Sequence, residues 1–212
     1  MEDVPSRSLR IHQDFPALIR GFDIDALESD AHSACALSTD LSFLYFNPAW
    51  FRFARANGGE AIDSPRYGLG ASFVDVLPEV VRNDYVAAYR GVLDTGQPWH
   101  HDYECSGPDL FRRYHQTVYR FHNGQGLLVV NSLREAHRPI SDFRMPQAPA
   151  QGTYRSTITG LITQCCNCRR VQRIVAPYQW DWVPAWVKAM PCNTTSGLCE
   201  FCNQYYWRRR QG

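Results

Sequence analysis

Residues 34–59 read ACALSTDLSFLYFNPAWFRFARANGG. Two short apolar runs, ACALS and SFLYF, flank TDL, which contains a turn signal, and this pattern predicts a β-hairpin. Asn47 belongs to the residue types that cap helices, and Pro48 suits a first helical position. A helix PAWFRFARAN should follow and stop at Gly58-Gly59.

Downstream, residues 60–70 read as loop, with DSP and two glycines. After Pro78, the residues Val81, Tyr85, Ala88 or Tyr89, and Val92 recur at helical spacing, and Gly96 supplies a helix stop. Three strands are expected at about 98–105, 111–121 and 126–134, joined by the turn sequences SGPD and NGQG. Upstream, residues 16–30 place Leu18, Ile19, Phe22, Ile24 and Leu27 at mixed spacing, a short amphipathic helix interrupted by Gly21. Residues 1–15 are mostly polar and are expected to fray. The order strand, strand, helices, strand, strand, strand predicts an α+β domain: a mostly antiparallel five-stranded sheet with helices on one face. Residues 136–160, rich in Pro, Gly and Ser/Thr, read as a linker. The expected division is a 1–33 extension, a 34–135 sensor-sized domain, a 136–160 linker, a 161–207 cysteine module and a 208–212 basic tail.

The chain has 212 residues, 44% apolar and 13% aromatic, enough for one domain with a small appendage and too apolar for wholesale disorder. Its net charge of +1 is uneven. Residues 161–212 carry seven Lys/Arg against two Asp/Glu, net +5, and the remainder fifteen against nineteen, net −4. The polar start MEDVPSRSLR lacks the apolar core of a signal peptide, and no run is long enough to span a membrane. A cytoplasmic location, where thiols stay reduced, is the expectation.

Six of the eight cysteines lie at or beyond Cys165, in TQCCNCRRVQR and GLCEFC. A Cys-x-x-Cys turn points two thiolates at one ion, and two such turns build a closed tetrahedral sulfur site, the structural zinc pattern. Cys165, Cys168, Cys199 and Cys202 are the expected ligands. Cys166 can replace Cys165 in a Cys-x-Cys arrangement, and Cys192 is spare. Four thiolates leave no open position for substrate, so the metal reads as structural. A segment with few aliphatic residues needs such a staple to fold. A thioredoxin-like redox centre would need one Cys-x-x-Cys at a helix start in a βαβ pattern, which is missing.

The element order, the stretch LSTDLSFLYFNPAWFRFARANGG with its Asn-x-Ala-Trp helix, SFVDVLPE, and VLDTGQPWHHDYECSGPDLFRRYHQTVYRF together resemble a PAS domain over about 34–135. Cys105, Pro108 and Arg112-Arg113-Tyr114 resemble a Cys, Ser/Pro-turn, Arg-aromatic pattern in one branch of that family. The tail is similar to a Cys-rich segment found after sensory domains in some bacterial signalling proteins. Cys165/Cys168 with Arg169-Arg170, then Trp180 and Trp186, then TSGLCEFC carry that similarity. Ser196 stands where those segments have a histidine, and Pro184 where they often have an acid.

The resemblance implies sensing or protein contact, with cofactors in some members only. Neither haem nor flavin is expected. Residues 79–94 hold no histidine, Tyr85 and Tyr89 have the spacing of a core stripe, and residues 58–75 hold no cysteine for flavin chemistry. Strand alternation puts His101, Tyr103 and Cys105 on one face and Tyr114, Gln116 and Val118 on one face of the next strand. The family orientation points these inward. His101, Tyr103, Cys105 and Gln116 are therefore candidates for a small-molecule pocket, or else satisfied core residues, since an inward polar group needs a partner.

Three functional readings follow. The first is a cytoplasmic bacterial signalling protein without catalytic activity. Its sensor would be joined to a zinc module that contacts a signalling partner, with a homodimer built on Leu18, Ile19, Phe22 and Leu27. No kinase, cyclase or receiver segment is present in these residues. The second is a nucleic-acid-binding regulator, in which the tail aromatics with Arg169, Arg170, Arg173 and Arg208–Arg210 form the contact surface instead of covering the metal module. The third is a thiol/zinc redox switch at Cys165, Cys166 or Cys168, with Arg169 and Arg170 lowering a thiol pKa. No Ser/His/Asp set, carboxylate pair or phosphate loop points to an enzyme.

Overall fold

The N-terminal segment does not fray where its polarity suggests. In the computed structural model, which describes residues 4–19, 23–57, 65–121, 124–138 and 147–207, it packs from Arg7 onward as α1 (Arg7–Arg10) and α2 (Phe15–Leu18). Phe15 is fully buried and stacks on Tyr45 at 4.7 Å. The single helix expected over 16–30 is two: α2, then α3 (Ile24–Ser29), whose N-cap Asp23 accepts from Asp25 and Ala26 N–H. Ile19 belongs to the core beside Phe15, with Leu18 and Leu27 packed against it. These residues of the expected dimer surface are thus used inside the fold, because the same apolar stripe serves the chain's own core; Phe22 lies outside the described residues.

Arg10 explains the early order. It is 4% exposed, and its guanidinium grips Glu28 with two bonds, at 2.8 and 2.6 Å, and donates to the Phe46 and Pro5 carbonyls. Tyr45 donates to the same carboxylate at 2.7 Å. A charge taken out of water needs this degree of pairing.

β1 (Ser33–Ser38) and β2 (Phe43–Phe46) form the expected antiparallel hairpin, with an irregularity between Ala36 and Leu37. In its turn Leu41 takes φ 66°, and Asp40 accepts from the Ser38 and Ser42 hydroxyls. α4 (Pro48–Ala56) follows directly; the glycines expected to stop it lie outside the described residues. Asn47, fully buried, does more than cap it. Its Oδ1 accepts from Trp50 N–H at 3.0 Å and Ala34 N–H at 2.9 Å, and its Nδ2 donates to the Leu27 and His32 carbonyls at 3.2 and 2.8 Å. One amide therefore ties α4, β1 and the segment after α3.

α5 (Phe73–Val76) is the short helix expected in SFVDVLPE, and α6 (Glu79–Thr95) buries Val81, Tyr85, Tyr89 and Val92 as their spacing requires. Gly96 closes α6 at φ 74°, a conformation that favours glycine. β3 (Trp99–Glu104), β4 (Phe111–Arg120) and β5 (Gly126–His137) complete a five-stranded antiparallel sheet in the order β2-β1-β5-β4-β3. This is the α+β, PAS-like architecture expected.

The chain divides into two compact units. The first comprises residues up to Leu77, Val81–His101 and His115–Ser132; the second comprises Pro78–Val80, Asp102–Tyr114 and Leu133 onward. In the second, α7 (Gln151–Tyr154), β6 (Ile162–Cys165), β7 (Val171–Gln172), β8 (Trp180–Asp181), α8 (Pro184–Lys188), β9 (Thr194–Gly197) and α9 (Glu200–Trp207) surround a small four-stranded sheet of order β8-β7-β6-β9. Part of the stretch read as linker is folded here. Tyr154 is buried with Ile162, Val171, Val183 and Trp186, and its hydroxyl donates to Asp181 at 2.8 Å. Among the described residues no helix is long and apolar enough to cross a membrane.

Two outcomes test this construction. Asn47→Ala strands the Ala34 N–H and two carbonyl acceptors and leaves Trp50 N–H only the residue 47 carbonyl, so it should lower stability by roughly 2–3 kcal/mol in urea denaturation; a loss below about 1 kcal/mol is what a simple exposed helix cap would give. Burial raises the Glu28 pKa, but the hydrogen bonds from Arg10 and Tyr45 outweigh it and hold the pKa below the usual carboxylate value. A folded pKa below the unfolded one stabilises fully at neutral pH, and that stabilisation is lost as pH falls through the acid range below the ordinary glutamate value. Glu28→Gln should therefore lower the urea midpoint at pH 7 and flatten its fall on acidification.

Candidate metal centre

Cys165 ends β6 and begins a tight turn. Cys165 N–H donates to the Arg170 carbonyl at 2.8 Å, and Arg169 N–H donates back to the Cys165 carbonyl at 3.1 Å. Closing the turn places Arg169 in the left-handed region, φ 67°. Gln164, 3% exposed, donates from Nε2 to the Arg169 carbonyl at 3.0 Å and so supports that unusual conformation. This turn carries Cys165 and Cys168 on one side of the site.

β9 brings the other pair. It runs parallel to β6, with Gly197 opposite Cys165. A Cβ at Gly197 would lie 2.6 Å from Thr163 Cγ2 and 3.0 Å from the Trp180 ring, so glycine is what lets β9 approach. Cys199 follows at the start of α9 and Cys202 lies in its first turn. Cys199 N–H donates to the Cys165 sulfur at 3.5 Å, a contact that typically orients a thiolate.

The four sulfurs of Cys165, Cys168, Cys199 and Cys202 lie within 4.8 Å of one another, all fully buried. The Cys168 and Cys199 sulfurs are 3.5 Å apart. Tetrahedral coordination at a metal–sulfur distance near 2.3 Å separates sulfurs by about 3.8 Å, so the set fits one ion. All eight cysteines are free thiols. Cys166 points away: its sulfur meets Asn167 Oδ1 at 3.6 Å, and it lines a cavity of about 150 Å³ with Gln164, Arg169, Thr194 and Ser196. Cys192 is exposed.

The electrostatics match the geometry. Hydrogen bonds from Cys168, Cys199 and Cys202 hold the Cys165 thiol below its ordinary pKa, while Cys202 is pushed up by the same contacts with Cys165, Cys168 and Cys199. Cys199 is also held below the ordinary thiol pKa and Cys168 above it, so the set does not ionise fully by itself and a cation favours all four thiolates. Burial opposes the charge of Arg170, but the charge of Cys168, then Glu104, and a hydrogen bond to Cys168 outweigh it and raise its pKa. Arg170 also lies over the Phe201 ring at 5.2 Å. At Cys166 the balance is reversed: burial drives the thiol up to about 12, against the weaker lowering by Arg169. The basic neighbours therefore do not activate this thiol as expected, because desolvation is the larger effect.

The tail aromatics are mostly structural. Trp182, Trp186 and Tyr206 are buried, Trp180 and Tyr205 pack against the sulfurs, and Tyr178 is exposed. Arg173 is paired with Asp181 at 2.5 Å; Arg208–Arg210 lie outside the described residues.

Of the four candidate pocket residues, His101 and Gln116 fall in the first unit and Tyr103 and Cys105 in the second. His101 stacks on Trp99 and meets Tyr85 edge-on in the first unit. Gln116, in the same unit, accepts from the Tyr89 hydroxyl at 2.9 Å and donates to Asn131 at 2.9 Å. Tyr103 and Cys105 fall in the second unit, where Tyr103 stacks on Tyr114 and Cys105 bonds through its backbone to Arg112. Sequence reasoning missed the supporting roles of Gln164, Gly197 and Asp181. Their residue types carry no metal signal, and only the register of β6, β7, β8 and β9 reveals them.

No protein-family model matches the chain. No curated protein matches it. Among solved structures it is similar to phage VqmA in complex with DPO, at 17% identity over 57% of this chain and 55% of that one, TM-score 0.40. It is also similar to the photoactive yellow protein domain of the sensor histidine kinase Ppr from Rhodospirillum centenum, at 11% identity over 54% and 95%, TM-score 0.38. The Vibrio cholerae VqmA dimer is similar at 15% identity over 59% and 53%, TM-score 0.36. The chain spans about half the length of the VqmA chains it matches. The strand order and the element order, rather than these scores, carry the PAS-like assignment.

Serine substitution separates the adjacent cysteines. Cys165→Ser should abolish stoichiometric metal binding, whereas Cys166→Ser and Cys192→Ser should retain the full metal content by elemental mass spectrometry. Retention in Cys165→Ser with loss in Cys166→Ser would assign the Cys-x-Cys arrangement instead.

Proposed function

We propose that this chain is a non-catalytic signalling regulator. In this reading its PAS-like first unit serves as sensor or protein-contact domain, and its second unit is folded around a structural zinc ion held by Cys165, Cys168, Cys199 and Cys202. The observation that carries the reading is the closed set of four buried sulfurs within 4.8 Å. Such a set leaves no coordination position for a substrate, which favours a structural role. Zinc suits four thiolates in tetrahedral geometry and brings no redox chemistry of its own. Eight cysteines, none in a disulfide, fit a reducing cytoplasm, bacterial in the light of the tail's resemblance.

The second unit gives the metal a physical task. Among the described residues its apolar cluster comprises Tyr154, Ile162, Val171, Val183 and Trp186, with Trp182 and Tyr206 also buried, a small core for the segment from 147 to 207. The chain's own residues supply the rest: Arg170 balances thiolate charge, Gln164 fixes the first turn, and Trp180 and Tyr205 shield the sulfurs from water. A unit held in this way presents a fixed surface to a signalling partner. Exposed Phe201 and Tyr178, 64% and 67% accessible, belong to that surface.

Elemental analysis of freshly purified protein, with an absorption spectrum of the same sample, tests the reading. One zinc per chain with no visible bands is expected. Stripping it with a strong chelator should expose residues 147–207 to protease while the first unit survives as a resistant fragment. Iron with visible absorption, or an undiminished protease resistance after zinc removal, would overturn the structural-zinc assignment.

A further inference from the structure

The first unit carries a second group of metal-binding side chains that the zinc reading does not use. His100 on β3 and His115 on β4 stand side by side, their rings stacked at 5.4 Å with planes 23° apart. His115 Nε2 lies 3.3 Å from His100 Nδ1, and the Thr117 hydroxyl lies 3.3 Å from the same His100 nitrogen. His100 is exposed and His115 half-buried, so an ion has both a route in and water to complete its shell.

Two imidazoles bound to one ion at about 2.0–2.1 Å in tetrahedral geometry have their nitrogens roughly 3.3 Å apart. The pair already stands at that separation. The 3.3 Å contact is a hydrogen bond donated by one ring and accepted by the other, and a divalent cation can take the place of its proton. The strands hold the rings in place. Thr117 is 8% exposed, and its neighbour Gln116 is tied to Tyr89 and Asn131, so the β4 backbone beside His115 is fixed.

We propose that His100 and His115 form an exchangeable site for a divalent late first-row transition ion, with Thr117 beside it and water in the open positions. Imidazole nitrogen suits zinc, copper and nickel over magnesium or calcium. The open shell makes the ion labile, in contrast to one enclosed by four thiolates, and a labile ion at the sheet of a sensory unit is a signal the unit can read.

Nickel, added at neutral pH to protein already carrying its full zinc complement, is the probe. Calorimetry should show one nickel bound per chain with micromolar affinity. His100→Ala and His115→Ala should each weaken it by at least about tenfold, the double variant little more than either single one, and His32→Ala not at all. In the unmodified chain, paramagnetic broadening by nickel should centre on the amides around residues 98–101 and 114–118, a readout that needs no variant. Unchanged affinity in both single variants, broadening centred elsewhere, or sulfur-to-nickel absorption from the thiolates would overturn the proposal.

Discussion

Four sulfur atoms buried within 4.8 Å of one another set the terms for everything after residue 147. Neutral thiols make weak hydrogen bonds and four thiolates repel one another, so burying four sulfurs together favours a bound cation. A divalent cation resolves the conflict, and much of the surrounding chain is arranged around that need. β9 approaches β6 because Gly197 has no side chain, Arg169 takes a left-handed conformation so that the turn can close, and Arg170 keeps its charge beside Cys168 despite burial. The apolar cluster around Tyr154 and Trp186 is an accessory to this centre. Metal–thiolate cores of small domains typically contribute on the order of 10 kcal/mol, more than an apolar cluster this small supplies after chain entropy.

The first unit orders its interior through hydrogen bonds among its own residues. Several of its polar groups are buried in satisfied sets: Asn47 with four backbone partners, Arg10 with Glu28, Phe46 and Pro5, and Gln116 between Tyr89 and Asn131. Such sets specify one arrangement, because a slip of one residue would leave several groups unpaired in a low-dielectric interior. The bond from Tyr89 to Gln116 shows how an inward glutamine can be a core residue: the phenol needs an acceptor where an apolar residue would offer none.

The features legible in sequence share a short range. The hairpin, the Asn47–Pro48 helix start, the stripe of Val81, Tyr85, Tyr89 and Val92, and the two Cys-x-x-Cys turns are each encoded within one element. Features joined through space were not legible. Arg10 and Glu28 are 18 positions apart on separate short helices, and neither is distinguishable by type from a solvated charge. Residues 1–15 looked frayed for that reason, although Phe15 lies at the centre of a core. Tyr154 sat in a stretch whose Pro, Gly and Ser/Thr content signals a linker, and its partner Asp181 is 27 positions downstream. The choice between Cys165 and Cys166 depended on strand register, since Gly197 pairs with Cys165 and leaves the next side chain facing the cavity.

Charge also changes meaning once the structure is known. The formal +5 of residues 161–212 counts the thiols as neutral. Four ligand thiolates subtract four and a divalent ion restores two, so a loaded module carries about +3. Two of its arginines are committed, Arg170 to Cys168 and Glu104 and Arg173 to Asp181. Basic residues beside a thiolate-bound ion are what charge balance at that ion requires, and they do not by themselves mark a phosphate-binding face. The aromatics follow the same logic, with Trp182, Trp186 and Tyr206 in the interior. A surface that binds bases needs rings open to solvent, and this unit spends most of its rings on covering its own small core and its sulfurs.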